Sequence, residues 1–336
     1  MVFTGFLVLL LAGFFQGSFG LGMKEYKPLS WEAFWSLFSL IAMVCIPLIW
    51  TYVEVPNFLE YISATPSGTL FKGAFCGLFW GITAIGFGKA IDLIGMSLTY
   101  GIAMGVSAAV GALFPLFSMG SKANSSFLTF LIIGIVVMLL GVAVITKAGI
   151  MKDTQASNGE TGNKSSNSTL GLILAFISGL GSAAQNIGFT YAGVVSSLAV
   201  QNGENATSAS LIAWIVVFAG GFIANFGYAI YLLAKNQTFN TLTGEGCGKG
   251  YLKVLITSFM WYAALATYGK ATVLLGTLGP VVGWIAFMAL ALVISNGWGI
   301  KTGEWDNTGK AKQVLYVGNL ILIISWIIVG YSNTLL

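Results

Sequence analysis

Residues 80–95 read W-G-I-T-A-I-G-F-G-K-A-I-D-L-I-G, and residues 261–276 read W-Y-A-A-L-A-T-Y-G-K-A-T-V-L-L-G. Six of these sixteen positions are identical: Trp80 with Trp261, Gly88 with Gly269, Lys89 with Lys270, Ala90 with Ala271, Leu93 with Leu274 and Gly95 with Gly276. Phe87 and Tyr268 add a matched aromatic. A match this dense between two apolar segments, one in each half, indicates a duplicated membrane protein, and duplication is a common way of building secondary transporters.

Working outward from the repeat, hydrophobic residues make up 57% of the 336 and charged residues 8%, against roughly a quarter charged in soluble domains. Mean hydropathy is +0.87. Uncharged runs long enough to cross about 30 Å of hydrocarbon recur along the chain, which excludes a soluble protein with an apolar core. With no His and no Arg, histidine proton relays and histidine metal sites are excluded. Cys45, Cys76 and Cys247 have the spacing of neither a zinc site nor a disulfide framework, so no metal and no cofactor is expected. No nucleophile with a partner base is visible, so no catalytic residues are expected and the chain does not read as an enzyme. Nothing points to nucleic acid as a partner.

Taking charges as span limits predicts ten helices near 3–22, 32–53, 70–89, 94–119, 126–147, 169–194, 208–234, 250–270, 274–300 and 313–333. The third and eighth have the shortest uncharged cores, sixteen residues between Lys72 and Lys89 and between Lys253 and Lys270; their flanking lysines can snorkel to the interface. Twelve lysines fall in the connections after odd-numbered spans and only Lys72, Lys122 and Lys270 on the other side. By the cytoplasmic bias of positive charge, both termini face away from the cytoplasm. The first apolar stretch lacks a positive leader and is followed by Lys24 and Lys27, so it reads as a retained helix.

The organisation is then a first five-helix repeat over 1–149, a polar cytoplasmic linker at 150–168 rich in Asn, Ser, Gly and Thr, and a second five-helix repeat over 169–336. An odd number of spans per half makes the second repeat enter upside down. The fold class is an all-α polytopic membrane protein, ten transmembrane helices as two inverted five-helix repeats, with alternating access expected about a site where the repeats meet. Glycines such as Gly101, Gly105 and Gly111 allow close helix approach, and Pro115 and Pro280 are candidate bends.

Polar side chains inside spans are default functional candidates. They are Gln16 and Ser18 in the first span, Gln185 and Asn186 in the sixth, Asn225 in the seventh and Asn296 in the ninth. Amides that both donate and accept, joined by the rings of Trp80, Trp261, Tyr262 and Trp284, suit an uncharged polyhydroxy ligand such as a sugar. The alternative for each amide is a hydrogen bond gluing two helices. Trp80 and Trp261 stand nine residues before their lysines, about 13 Å along a helix, so they approach mid-membrane rather than an interfacial belt. For ion coupling or gating the candidates are Asp92, three residues after Lys89 and able to pair with it, and Glu32, which also suits the start of the second span as a helix cap. The repeat partner of Asp92 is Val273. Glu204 falls in an outer connection.

The ordered motifs Q-G-S-F at 16–19 with Met23 and Lys24, S-W-E at 30–32 with Trp35, P-N-F at 56–58, W-G at 80–81 and L-I-G-M-S at 93–97 form a series. It continues with G-G at 220–221, Asn225, Gly227 and Tyr228, M-W-Y at 260–262, G-W at 283–284, and G-E-W at 303–305 with Asn307 and Gly309. In this order the chain resembles the L-rhamnose–proton symporters of the drug/metabolite transporter superfamily. The resemblance implies ten helices in two inverted repeats, uptake of a deoxyhexose, and proton coupling. Spans 8 and 9 hold no acid and no His, so a proton carrier would have to be Asp92, Glu32 or a peripheral acid. The reading is a secondary active importer of L-rhamnose or a related monosaccharide in a bacterial inner membrane. A proton is the expected coupling ion and sodium the alternative; a metabolite or drug exporter and a passive sugar facilitator are the rival functions.

Overall fold

The computed structural model describes residues 2–23, 26–118, 124–156 and 168–336. Lys24, Lys122 and Lys164, which enter the charge count, and 157–167 of the polar connection lie outside the described residues. The first span is α1 (Val2–Ser18) with a 3-10 turn at Phe19–Met23. The second is α2 (Trp31–Leu40), a π-helical turn at Ile41–Cys45, and α3 (Ile46–Glu54). A short α4 (Phe58–Ala64) leads to α5 (Ser67–Ile94), α6 (Met96–Ser118) and α7 (Ser125–Ala156). The second half holds α8 (Ser168–Gln201), α9 (Ala206–Asn236), α10 (Cys247–Leu275), α11 (Gly279–Lys301) and α12 (Lys310–Asn333).

Local chemistry accounts for the ends. Ser30 caps α2 by accepting from the Ala33 N–H at 3.2 Å, and Asn205 caps α9 by accepting from Thr207 N–H at 2.9 Å; each satisfies a donor that the first turn leaves without a helical partner. The π turn precedes Pro47, whose ring and missing N–H disrupt the turn before it. Gly95 and Gly276, the last residues of the repeated motif, stop α5 and α10 with φ of +83° and +90°, a conformation that a side chain resists. The repeat therefore ends in glycine twice for one geometric reason.

Among the described residues nine helices are long and apolar enough to cross a membrane. The one long helix outside that set is α10, 29 residues, and its two faces differ. Tyr251, Leu252, Leu255, Ile256 and Phe259 are exposed while Thr257, Ser258, Trp261, Tyr262 and Tyr268 are buried. Apolar Val254, Ala263, Leu265 and Ala271 are buried beside them, so the enclosed side mixes apolar and polar residues.

Three expectations change. Residues 150–156 continue α7 rather than starting a linker. Pro280 lies in the first turn of α11, where proline fits, and bends nothing; Pro115 is inside α6. The chain breaks at Gly95 and at Gly276–Leu278, so Ile94 and Leu274 belong to the preceding helices.

The packing brings the halves together along their lengths. α5 lies against α8 and α9, as α10 lies against α1 and α2; α6 packs on α8, as α11 packs on α1; and α7 runs beside α12. Close approach of α5 and α9 depends on glycine, since a Cβ at Gly77 would strike the Val217 carbonyl and one at Gly220 the Ala74 carbonyl.

Candidate functional site

At the centre of the α5–α9–α10 contact the two copies of the repeated tryptophan meet. Trp80 and Trp261 stack with ring centroids 5.8 Å apart and planes 13° from parallel. Gly221 makes room for the Trp80 ring, which would lie 2.9 Å from a Cβ placed there. Around Trp261 stand Phe218 at 5.1 Å and Phe38 at 5.7 Å. From Phe38 a line of rings follows one face of α2, through Trp35 at 5.0 Å to Trp31, stacked on Trp35 at 5.4 Å and exposed. Asn225 holds this line in place: its Oδ1 accepts from Trp35 Nε1 at 3.2 Å and its Nδ2 donates to the Gly221 carbonyl at 2.9 Å.

Each tryptophan has a glutamine near its level in the adjoining helix. On α8, Gln185 falls between Gly181, packed on Thr83, and Gly188, packed on Cys76, and so lies near the level of Trp80. On α1, Gln16 falls between Gly5, which meets Leu275, and Gly22, which meets Thr257, and so lies near the level of Trp261 and Tyr262. Gln16 Oε1 and Gln185 Nε2 are buried and have no hydrogen-bond partner, as is the Tyr262 hydroxyl. Such orphaned groups cost about 1–3 kcal/mol each unless a ligand or water satisfies them. The acceptor comes from the first half and the amide donor from the second, a complement to hydroxyls, which both donate and accept.

The neighbouring Asn186 faces another way and is saturated. Its Nδ2 donates to the Gly111 carbonyl at 2.8 Å and the Pro280 carbonyl at 2.9 Å, while its Oδ1 accepts from the Tyr268 hydroxyl at 2.5 Å. It clamps α6, α8, α10 and α11 together. Trp284 is fully buried and donates to the Ser107 carbonyl at 3.0 Å. Asn296 donates to Asn319 Oδ1 at 2.7 Å, tying α11 to α12. Ser18 accepts from Trp298 Nε1 at 2.8 Å. These four bond to protein and are not part of the stacked centre.

The charged candidates separate as well. Lys89 and Asp92 are both exposed near the end of α5, and among the described residues no ion pair joins them. Glu32 is buried, and its Oε1 accepts from Thr238 Oγ1 at 2.6 Å and Asn236 Nδ2 at 3.1 Å, bridging α2 to the end of α9. Partial burial, and then the Glu32 carboxylate, raise the Tyr26 phenol above its ordinary value. Glu204 accepts from the Tyr61 hydroxyl at 3.2 Å.

A residue absent from the candidates completes the picture. At the end of α3, Glu54 pairs with Lys270 through both oxygens, 2.5 and 2.7 Å from Nζ. It also accepts from Trp50 Nε1 at 2.6 Å and Ser208 Oγ at 2.8 Å. One carboxylate thus joins α3 of the first half to α9 and α10 of the second. The sequence signal was the repeat itself: Lys270 belongs to it, and its motif carries no acid where the first copy has Asp92.

A family model described as L-rhamnose-proton symport protein matches residues 2–334. Curated proteins named L-rhamnose-proton symporter from Escherichia coli O1:K1 and Escherichia coli SMS-3-5 are each 27% identical over 318 residues, covering 91% of this chain and 91% of their own. A solved crystal structure aligns with a TM-score of 0.63 over 97% of this chain and 96% of its own at 13% identity, a likeness of fold alone. With apolar helices throughout and a family match from end to end, the chain is a multi-pass membrane transporter, not an enzyme, and it belongs to the L-rhamnose-proton symport protein family.

Proposed function

We propose that this chain is a secondary active transporter that imports L-rhamnose, or a closely related monosaccharide, together with a proton. Family membership and the name carried by its relatives support the substrate and the ion. The observation that carries the site is the Trp80–Trp261 stack, with the unpartnered Gln16 Oε1 and Gln185 Nε2 in the helices beside it. When the two stacked rings part, their faces pack on the C–H faces of a sugar ring, and the two amides and the Tyr262 hydroxyl bond its hydroxyls. Asn225 positions Trp35 for the same ligand, while Asn186, Trp284 and Asn296 hold the surrounding helices.

In this reading α10 also crosses the membrane, as the eighth span in order, which brings the count to ten. The neighbours of each helix are exchanged when the halves are exchanged: α5 with α8 becomes α10 with α1, and α6 with α8 becomes α11 with α1. That exchange supports two five-helix repeats, inverted because each is odd in number, alternating in access about the stacked tryptophans. The lysine asymmetry orients both termini to the non-cytoplasmic side of a bacterial inner membrane, with Lys89 inside and the Glu54–Lys270 pair outside.

Purified protein in liposomes, given labelled L-rhamnose and an imposed inward proton gradient, accumulates the sugar above its external concentration and stops when the gradient is collapsed. Accumulation driven by an inward sodium gradient alone would replace the ion; equilibration without accumulation would indicate a facilitator; transport of amino acids or hydrophobic cations in preference to sugars would indicate an exporter-type specificity.

A further inference from the structure

The polar groups around Glu54 form a site that the sugar reading leaves unused. Glu54 and Lys270 are 22% and 24% exposed as side chains, shielded yet within reach of water. The Lys270 ammonium lies 6.0 Å from the Trp50 ring centre. The groups facing the carboxylate are Lys270 and Tyr262 from α10, Ser208 from α9, and Trp50 and Thr51 on its own helix. In the next connection Tyr61 and Glu204 bond to each other. One helical turn deeper, Thr51 Oγ1 and the fully buried Tyr262 Oη face one another, and neither has a hydrogen-bond partner of normal geometry. Polar atoms therefore continue inward from the ion pair to the tyrosine beside Trp261.

A carboxylate held by one cation and two neutral donors is favoured in its ionised form, and adding a proton changes the tie it makes. Ionised, it ties α3 to α10. Protonated, it loses the charge attraction to Lys270 and keeps only neutral hydrogen bonds, which weakens the tie between the halves. A single proton on Glu54 thus separates the two arrangements.

We propose that Glu54 is the proton-coupling carboxylate of this transporter, with Lys270 its counter-cation, an assignment that rests on the proton-symport reading above. A proton from the outer aqueous side adds to a Glu54 carboxylate oxygen, forming one O–H bond and releasing Lys270, so that α3 and α10 part and the sugar enters. After the outer side closes, the O–H bond breaks, the proton passes inward by way of the Thr51 and Tyr262 hydroxyls to the water that leaves with the sugar, and the ionised pair re-forms. One proton crosses per cycle and no other reactant is consumed. Asp92 and Glu32 are spectators of this step: Asp92 is exposed without an ion-pair partner among the described residues, and Glu32 is bonded to uncharged donors.

The test compares wild type, Glu54→Gln and Glu54→Asp in liposomes. Glu54→Gln mimics the neutral acid and keeps a group for Trp50 and Ser208 to bond. It is expected to lose proton-driven accumulation of L-rhamnose by at least about tenfold, a change of roughly 1.4 kcal/mol. Exchange of labelled for unlabelled sugar without a gradient stays within about twofold, below 0.5 kcal/mol on the same scale, and no longer varies with pH. Glu54→Asp retains accumulation with an altered pH profile. In infrared spectra of sugar-free protein, wild type shows a carboxyl band that titrates and Glu54→Gln lacks it. The proposal is overturned if Glu54→Gln accumulates sugar with proton uptake like wild type, if it keeps every titrating carboxyl band, or if both variants lose exchange together with accumulation. Should wild type fail to carry L-rhamnose at all, the substrate reading falls, and the infrared comparison still decides for or against Glu54.

Discussion

The two copies of the repeated motif are alike in shape and unlike in charge. Both end in a glycine with φ near +90°, and their tryptophans stack on each other. Yet Lys270 is bound by Glu54, while Lys89 is exposed and has no ion-pair partner among the described residues. The residue 181 positions after Glu54 is Lys235, a base in place of the acid. The two copies share a frame, and among the described residues the ion pair that bridges the halves lies at the second copy alone. The charge asymmetry thus sits at Glu54 and Lys270, whereas Asp92 and Val273 are both exposed on the surface of their helices.

That contrast can be broken in steps. The largest effect on stability is expected for Asn186→Leu, which removes three hydrogen bonds and leaves the Tyr268 hydroxyl poorly satisfied in the core; a loss of about 3 kcal/mol lowers the thermal midpoint of the purified protein. The adjacent change, Gln185→Leu, removes an orphaned buried amide; it leaves the midpoint unchanged or higher while weakening sugar binding. Opposite behaviour of these two neighbours separates helix clamp from ligand contact. Trp261→Ala removes one face of the stack and should raise the half-saturating sugar concentration about thirtyfold, near 2 kcal/mol, read by competition uptake.

Next comes the charge comparison. Lys270→Met leaves Glu54 partly buried without its cation and is expected to cost about 2 kcal/mol, whereas Lys89→Met stays within about 0.5 kcal/mol of wild type; equal effects would remove the asymmetry. The smallest expected difference is a symmetry check. Gly95→Ala and Gly276→Ala each put a side chain at positive φ with extended ψ, a region open essentially to glycine alone, and should each cost about 1–3 kcal/mol, alike to within the error of a melting curve.

Much of this architecture is legible in the chain because hydrocarbon imposes a simple rule on composition: apolar runs become helices, and lysines mark their ends. The repeat singled out Trp80 and Trp261, and their rings meet. α10 was legible as a short core between Lys253 and Lys270, but its burial of Trp261, Tyr262 and Tyr268 only emerges once α1, α2, α9 and α11 surround it. Glu54 was hidden at a span limit, where a carboxylate ordinarily meets water, and its partner lies 216 positions away. Asn186 and Gln185 look the same in sequence, and only the third dimension turns one to protein and leaves the other unpartnered. The helical start of the polar connection escaped because Lys152 and Asp153 read as a loop, although a helix leaving the membrane needs no apolar residues.

The measurement that bears most directly on the account is uptake of labelled L-rhamnose by cells expressing the protein in lightly buffered medium with pH recorded continuously. Alkalinisation of the medium in step with sugar entry, and its disappearance when the proton gradient is dissipated, is the predicted result; sugar entry with no change in external pH would contradict proton symport, and no entry of rhamnose would contradict the substrate.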